Sequence, residues 1–526
     1  MRGAAVLALA QPLTWAATLL FVALAPHYLG ARGFGAYAVA TNAATIIGAL
    51  VALGVPTYLT RHLAAAPDDR ETISAALLLS LGGAGLAGLI FSQLYALSGA
   101  KPHDLEIARL ALAGMAVAAG QSVLYASLNG RGRHGRYAAL NIVWSLAVVA
   151  SQTSVLALGG GLRMMFVVGL LVTAAIFLLT WLLAGRPGPR ARLSIVRRVA
   201  AGSMPFFAWD VVLRLRAQVD VVLVQLLAQA TAAGQLAAAY QIIGIPVFIP
   251  TLIVTPLLPA LADPRVDRRA FRATLERSLL AVLVFTLPLS AGIVALAPHV
   301  PSLLHWPRDF GGAVLAMRLL VPEPPLVAVD MVLGAAVVAL RRERAWLLAA
   351  VAAAAFNILG NLVALRLLAH ALGNTAAAAA LVEDGTELIM LCAAVALIPR
   401  DLLGAKVLWQ GARLLIASVA VALVAGVLAG RALPLAIVAG GVVYVLALPL
   451  LRVLGPADVR CALGLIAPRL IRGRVRARAG QPAVVAADNC NETCARVRSP
   501  RWQPPRGGSA AARAAALVRA DGGLGG

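Results

Sequence analysis

Four arginines and seven carboxylates sit inside otherwise apolar stretches of this sequence. The cations are Arg214, Arg216, Arg318 and Arg366; the acids are Asp210, Asp220, Glu323, Asp330, Glu383, Asp384 and Glu387. Charge inside a long apolar run is costly unless it is paired or used, so each is a functional candidate by default. Arginine's planar fork grips phosphate or carboxylate oxygens while staying ionised. Buried carboxylates can hold a proton or Na+, or neutralise the arginines. The stretch VVLRLRAQVDVVLV, residues 211–224, holds three of them. Asp210–Arg214 and Arg216–Asp220 both have the i, i+4 spacing at which opposite charges meet. At about 100° per residue the two pairs lie on different helical faces, so they cannot all line one cavity. Arg214, Arg216 and Arg318 are therefore the candidate anion-binding residues. Asp210, Asp220, Glu323, Asp330, Glu383 and Glu387 are the candidate ion-coupling or gating residues. Glu323 and Asp330, seven apart, share a helical face, as do Glu383 and Glu387, four apart. The competing role for all of them is internal salt bridging. Arg366 lies toward one end of its run, where its head can snorkel to the interface.

These charges must be positioned by membrane helices. The 526 residues are 61% apolar and 13% charged, with a mean hydropathy of +0.87; an ordinary soluble domain is nearer half apolar and a quarter charged. A span needs about 20 mainly apolar residues, and helices are the form such runs take in lipid. Fourteen candidate spans follow one another, at about 6–29, 36–56, 73–97, 105–128, 137–158, 162–184, 202–228, 235–260, 275–298, 313–340, 345–369, 375–398, 407–430 and 433–454. Pro246, Pro250, Pro256 and Pro259 crowd the eighth and Pro322, Pro324 and Pro325 the tenth, which predicts kinks there. With the N-terminus in the cytoplasm, the inside loops hold 22 Lys and Arg and the outside loops 6. That bias is the positive-inside pattern and predicts both termini inside.

An internal repeat divides the chain. GFGAYAVA at 33–40 and AAGQLAAAY at 232–240 each follow a span, with Gly35 and Gly234 at matching places. The expected organisation is an all-α polytopic protein with two six-helix lobes, 1–184 and 201–398. A basic cytoplasmic linker, 185–200, joins them; two additional spans occupy 399–455, and a basic, Arg- and Gly-rich tail follows at 456–526. An even span number puts both lobes in one orientation, related by a pseudo-twofold along the membrane normal. The tail has no sustained apolar face and is expected to be disordered and cytoplasmic.

Other chemistry is excluded by what the sequence lacks. The formal charge of +23 belongs to short inter-span loops, and no nucleic-acid module accompanies it. No Gly-rich Lys loop points to ATP. Cys392, Cys461, Cys490 and Cys494 include one C-x3-C pair without neighbouring histidines, a weak metal signal. The seven histidines are scattered. No metal, cofactor or catalytic residue is expected, and the chain is not expected to be an enzyme.

YLGARGFGAYAVATNAATIIGALVALGVPTYLTRHLA resembles the first spans of bacterial polysaccharide-biosynthesis flippases, members of the multidrug/oligosaccharidyl-lipid/polysaccharide exporter superfamily. So do RAQVDVVLVQLLAQATAAGQLAAAYQIIG with its later PLLPALAD, and VLGAAVVALRRERAWLLAAVAAAAFNILGNL. The likeness runs over about residues 5–400 and rests on diffuse Gly, Tyr, Asp and Pro patterns. It implies two helix bundles around a central cavity and alternating access. It also implies transport of a polyprenyl-diphosphate-linked oligosaccharide across the bacterial cytoplasmic membrane. Expected partners are that lipid-linked oligosaccharide, membrane lipids, a proton or sodium ion, and the polysaccharide polymerase and glycosyltransferases of the same pathway. Nucleic acid is not among them. An ion-coupled drug or metabolite antiporter of the same superfamily is the alternative. A glycan polymerase or ligase fits less well, because the longest outside connection, near 299–312, is only about fifteen residues.

Overall fold

The computed structural model describes residues 2–99, 101–188 and 191–453; the side chains of 2–19, 22 and 249 are not described. The expectations for the 456–526 tail and for Cys461, Cys490 and Cys494 lie outside the described residues. Among the described residues every regular element is helical. The order is α1 (Arg2–Ala52), α2 (Val55–Ala65), α3 (Arg70–Leu97), α4 (Pro102–Gly130), α5 (His134–Ala157) and α6 (Leu162–Leu183). Then come α7 (Leu193–Leu227), α8 (Ala230–Ile243), α9 (Phe248–Ala262), α10 (Arg268–Leu296), α11 (Val300–Leu303) and α12 (Gly311–Leu319). The series ends with α13 (Glu323–Ala339), α14 (Glu343–Leu372), α15 (Thr375–Leu397), α16 (Ala405–Ala429) and α17 (Leu433–Leu450).

Nine of the described helices are long and apolar enough to cross a membrane, ten if the bent α12–α13 pair is one span. This is fewer than the fourteen runs expected. α7 and α15 are long enough, but the first carries Asp210, Arg214, Arg216 and Asp220 and the second Glu383, Asp384 and Glu387. The eighth expected run falls on two shorter helices, α8 and α9, separated at Gly244–Val247 where Pro246 cannot donate a backbone bond. The tenth is broken at Leu320–Pro322, and its two parts meet at 47°.

α1 is also interrupted. Gly30 has φ 64° and ψ 172°, a conformation that a side chain disfavours. The connection between α10 and α12 packs against the break and satisfies one freed donor. Asp309 Oδ2 accepts the Ala31 N–H at 2.8 Å, acting as an N-cap supplied from across the sequence. The Trp306 indole N–H donates to the Ala23 carbonyl at 3.2 Å. Gln235 of α8 donates to the Asp309 carbonyl at 2.7 Å.

Small residues let α1 and α8 touch backbone to backbone. A Cβ on Gly35 would lie 1.9 Å from the Ala230 carbonyl oxygen, and one on Gly234 would lie 1.9 Å from that of Ala31. The contact is reciprocal: each glycine faces the residue four before the other. Around it an alanine-rich core gathers Ala232, Ala233, Ala237, Ala238 and Ala239 with Ala376, Ala378, Ala379 and Ala380 of α15. Membrane helices without a hydrophobic drive toward one another associate through such close approach. A second close crossing joins α2 to α7. Gly54 faces the Ser203 carbonyl, the Phe206 Cβ and the Phe207 backbone nitrogen, while the Arg61 guanidinium lies 4.8 Å from the Phe206 ring centre. α16 packs on α10 and α17.

Candidate functional site

α7 passes through the middle of this packing, touching α1, α2, α3, α8, α14 and α15. Its charged face therefore meets several partners. Arg214 Nε and Asp210 Oδ1 stand 3.9 Å apart, both part-exposed. They open on a cavity of about 680 Å3 whose other walls include Tyr37, Thr41, Thr45, Trp144, Gln152 and Thr173. The chamber is thus polar in places, large enough for a small-molecule head group, and holds one half-exposed guanidinium.

Arg216 does not make its expected i, i+4 bond to Asp220. Its guanidinium instead donates to Glu387 of α15, a carboxylate that is 1% exposed. An i, i+4 pair gains only tenths of a kcal/mol, and an acid four residues earlier is somewhat better placed than one four residues later, so a buried carboxylate on a neighbouring helix outcompetes it. Asp210–Arg214 has the favourable order and Arg216–Asp220 the reverse. Asp220 receives the Tyr240 hydroxyl of α8 in its place.

Arg216, Asp220, Tyr240, Glu323, Glu383 and Glu387 surround a second cavity of about 370 Å3, which shares Tyr37 and Thr41 with the first. Asn357 of α14 donates to Glu383 Oε2 at 2.8 Å and to Thr386 Oγ1 at 3.3 Å. The Asn361 amide donates to the Asn357 carbonyl at 3.0 Å. One buried guanidinium cannot serve so many acids. Asp220 Oδ1, Glu323 Oε2, Asp384 Oδ1 and Glu387 Oε2 are buried without a hydrogen-bond partner among the described residues.

Glu323 and Asp330 share a helical face as expected but not a cavity. Seven residues of rise, about 10 Å, separate their depths. Asp330 lines a third cavity of about 500 Å3, between α7, α9, α13, α14 and α15, that Arg216 also borders. Arg318 is not brought to these cavities. It lies exposed on α12, lines none of these three cavities and makes no ion pair among the described residues. Tyr240, Asn357 and Tyr37 were not singled out by charge. A hydroxyl or amide inside an apolar run was the available signal, and Asn42, Gln121, Asn141 and Gln152 carried it too. Asn42 and Gln152 line cavities, while Gln121 is tied to Thr180 at 2.9 Å. No group of His, Cys, Asp and Glu among the described residues is arranged to hold a metal ion.

The model for polysaccharide biosynthesis proteins matches residues 1–263. The chain belongs to that family. Its fold is also found among solved transporters. The lipid II flippase MurJ in an inward closed conformation superposes with a TM-score of 0.67 at 14% identity, covering 88% of this chain and 99% of that one. An inward-facing multidrug resistance MATE transporter gives a TM-score of 0.58 at 16% identity, covering 74% of this chain and 94% of that one. A transporter of the same MOP superfamily from Pyrococcus furiosus gives 0.52 at 17% identity, covering 79% and 96% respectively. No curated protein sequence matches significantly. The family member is accordingly an all-helical, multi-pass membrane protein with the fold of this transporter superfamily.

Proposed function

We propose that this protein is a flippase that moves a polyprenyl-diphosphate-linked oligosaccharide across the bacterial cytoplasmic membrane by alternating access, with both termini cytoplasmic. The observation that carries this reading is Arg214: a half-exposed guanidinium, loosely held by Asp210, on the wall of a 680 Å3 chamber. A half-exposed cation that is not sealed in a tight bridge is suited to exchange its weak partner for a diphosphate. Arg216, committed to Glu387, is assigned a structural role. Arg318 is left out of the site. The reciprocal Gly35–Gly234 contact supports two repeated lobes, 1–184 and 201–398, pivoting on a twofold, with α16 and α17 as additions and the segment 185–200 as linker.

The acids around the 370 Å3 cavity support ion coupling. Asp220, Glu323, Glu383 and Glu387 face one guanidinium around this cavity, and carboxylates crowded together do not all ionise. Protons or a cation must supply the balance, and their release is a means of driving the lobes between states. Partnership with glycan-assembling enzymes follows from the family's process.

Reconstitution with a fluorescent polyprenyl-diphosphate saccharide tests the reading. Arg214→Ala is expected to slow flipping at least tenfold, with Arg214→Lys in between because the bidentate grip is lost. Unchanged flipping in Arg214→Ala, or none in the parent protein, refutes it.

A further inference from the structure

The 680 Å3 chamber offers more than the Asp210–Arg214 pair. Its other lining side chains among the described residues are uncharged, and several hold hydrogen-bonding capacity that the protein does not use. Gln152 of α5 is the clearest. It is 8% exposed and lines the chamber, and its amide has no hydrogen-bond partner among the described residues. Gly169 of α6 leaves room for it: a Cβ there would lie 2.8 Å from the amide nitrogen. Such an amide offers a carbonyl acceptor and N–H donors side by side. Thr41 and Thr45 of α1 donate their hydroxyl protons to carbonyls of their own helix, at 2.9 Å to Tyr37 and 2.8 Å to Thr41. Toward a ligand they are left as acceptors. The Trp144 indole N–H donates to Thr173 Oγ1 at 3.3 Å, which pins an aromatic ring on the chamber wall. Trp144, Val148 and Gln152 follow one another at four-residue steps and form a stripe about 12 Å long.

A ligand matched to this wall brings hydroxyl protons to acceptors, pairs one donor and one acceptor with an amide, and lays an apolar face on an indole. A pyranose ring does all three. Its hydroxyls reproduce the bonds these groups otherwise make to water. A carboxylate is mismatched. It only accepts, the two threonine protons are already spent, and Asp210 stands on the same chamber. The one guanidinium there is the group assigned to the diphosphate.

We propose that this wall is a sugar subsite, which selects an uncharged, hydroxyl-rich sugar next to the diphosphate and turns uronic acids away. Gln152 reads the hydroxyls, Trp144 carries the ring, and Thr41 and Thr45 accept. The assignment rests on the flippase reading and sharpens it, from lipid-linked oligosaccharides in general to those whose lipid-proximal sugar is neutral. A chamber of about 680 Å3 suits a compact head group rather than a long glycan, so selection falls on the sugars nearest the lipid.

The test is protein-dependent flipping by the full chain in liposomes. The probes are three polyprenyl diphosphates labelled on the lipid, carrying glucose, glucuronic acid or no sugar. The parent protein should flip the glucosyl lipid at least tenfold faster than either of the others. Gln152→Leu, which removes the amide, should lower the ratio of glucosyl to sugar-free flipping at least fivefold. Trp144→Leu should lower it severalfold. A purely structural role slows all three lipids together and leaves that ratio where it was. Monodispersity and thermal unfolding establish that each variant is folded; should Gln152→Leu fail that check, Trp144→Leu decides. If the parent flips the glucosyl lipid no faster than the glucuronosyl or the sugar-free lipid, the subsite is overturned and the flippase reading stands. An unchanged ratio in either folded variant has the same consequence. Flipping of none of the three by the parent overturns both.

Discussion

Arg216→Gln is the perturbation whose cost follows most directly from the geometry. Arg216 is 14% exposed and Glu387 1% exposed, so the bridge is largely buried, with Arg216 bordering the 370 Å3 and 500 Å3 cavities. Breaking a buried pair by removing one partner costs about 3–5 kcal/mol, because the remaining charge is stranded. Glu387 has no reserve: its second oxygen is already buried without a partner. Proton uptake lets the stranded carboxyl discharge, which places the expected loss near the lower end, about 3 kcal/mol. Replacing both residues together, Arg216→Met with Glu387→Met, removes the stranded charge as well and should cost much less than the two single changes combined. Arg214→Gln is the internal comparison. Its pair is half-exposed at 3.9 Å and should contribute under about 1 kcal/mol. The assay is equilibrium unfolding in mixed micelles, titrated with SDS and followed by tryptophan fluorescence. An Arg216→Gln loss below about 1 kcal/mol, the range of an exposed pair, refutes the buried-bridge argument. So does strict additivity in the double variant.

Three further outcomes are expected. Gly35→Ala or Gly234→Ala forces a Cβ to 1.9 Å from a backbone oxygen, so α1 and α8 must separate. Each should lower thermal stability by about 1–3 kcal/mol, whereas Gly114→Ala, with nothing within 4 Å, should be neutral or stabilising. Asp309→Ala removes the cap on Ala31 and should cost about 1 kcal/mol, read as a lower unfolding midpoint, with faster amide exchange just after Gly30. Asp69, in the loop before α3, is raised by partial burial, but hydrogen bonds from Thr72 and His62 outweigh this and hold it at about 2. Its folded value lies below its ordinary value of 3.8, so its contribution is complete above that value and fades as pH falls toward 2. Asp69→Asn should flatten the acid limb of a stability–pH curve.

Much of the helical layout could be read from the sequence because apolar run length is a local property. The breaks were readable too where proline marked them, as at Pro246 and Pro322. Gly30 gave less warning: a glycine inside an apolar run is common, and only its distant cap on Asp309 shows the interruption. In the site, spacing on one helix correctly paired Asp210 with Arg214. It could not pair Arg216 with Glu387, because that bond joins residues 171 apart and depends on how α7 and α15 pack. Face-sharing likewise placed Glu323 beside Asp330 without revealing that depth assigns them to different cavities. Arg318 shows the remaining limit: embedding in an apolar run does not tell a cavity wall from an outward face.

The Asp309 cap on Ala31 also bears on how the chain is made. The two residues are separated by 278 positions. At translation rates of about 5–20 residues per second, roughly a quarter of a minute to a minute passes between them. Throughout that interval the break at Gly30 lacks its final hydrogen-bond acceptor. The first part of the protein must therefore wait in the bilayer in a provisional form, its own backbone unfinished, until the connection after α10 emerges to complete it. An early span whose last bond is delivered by a late segment makes completion of synthesis itself a folding step.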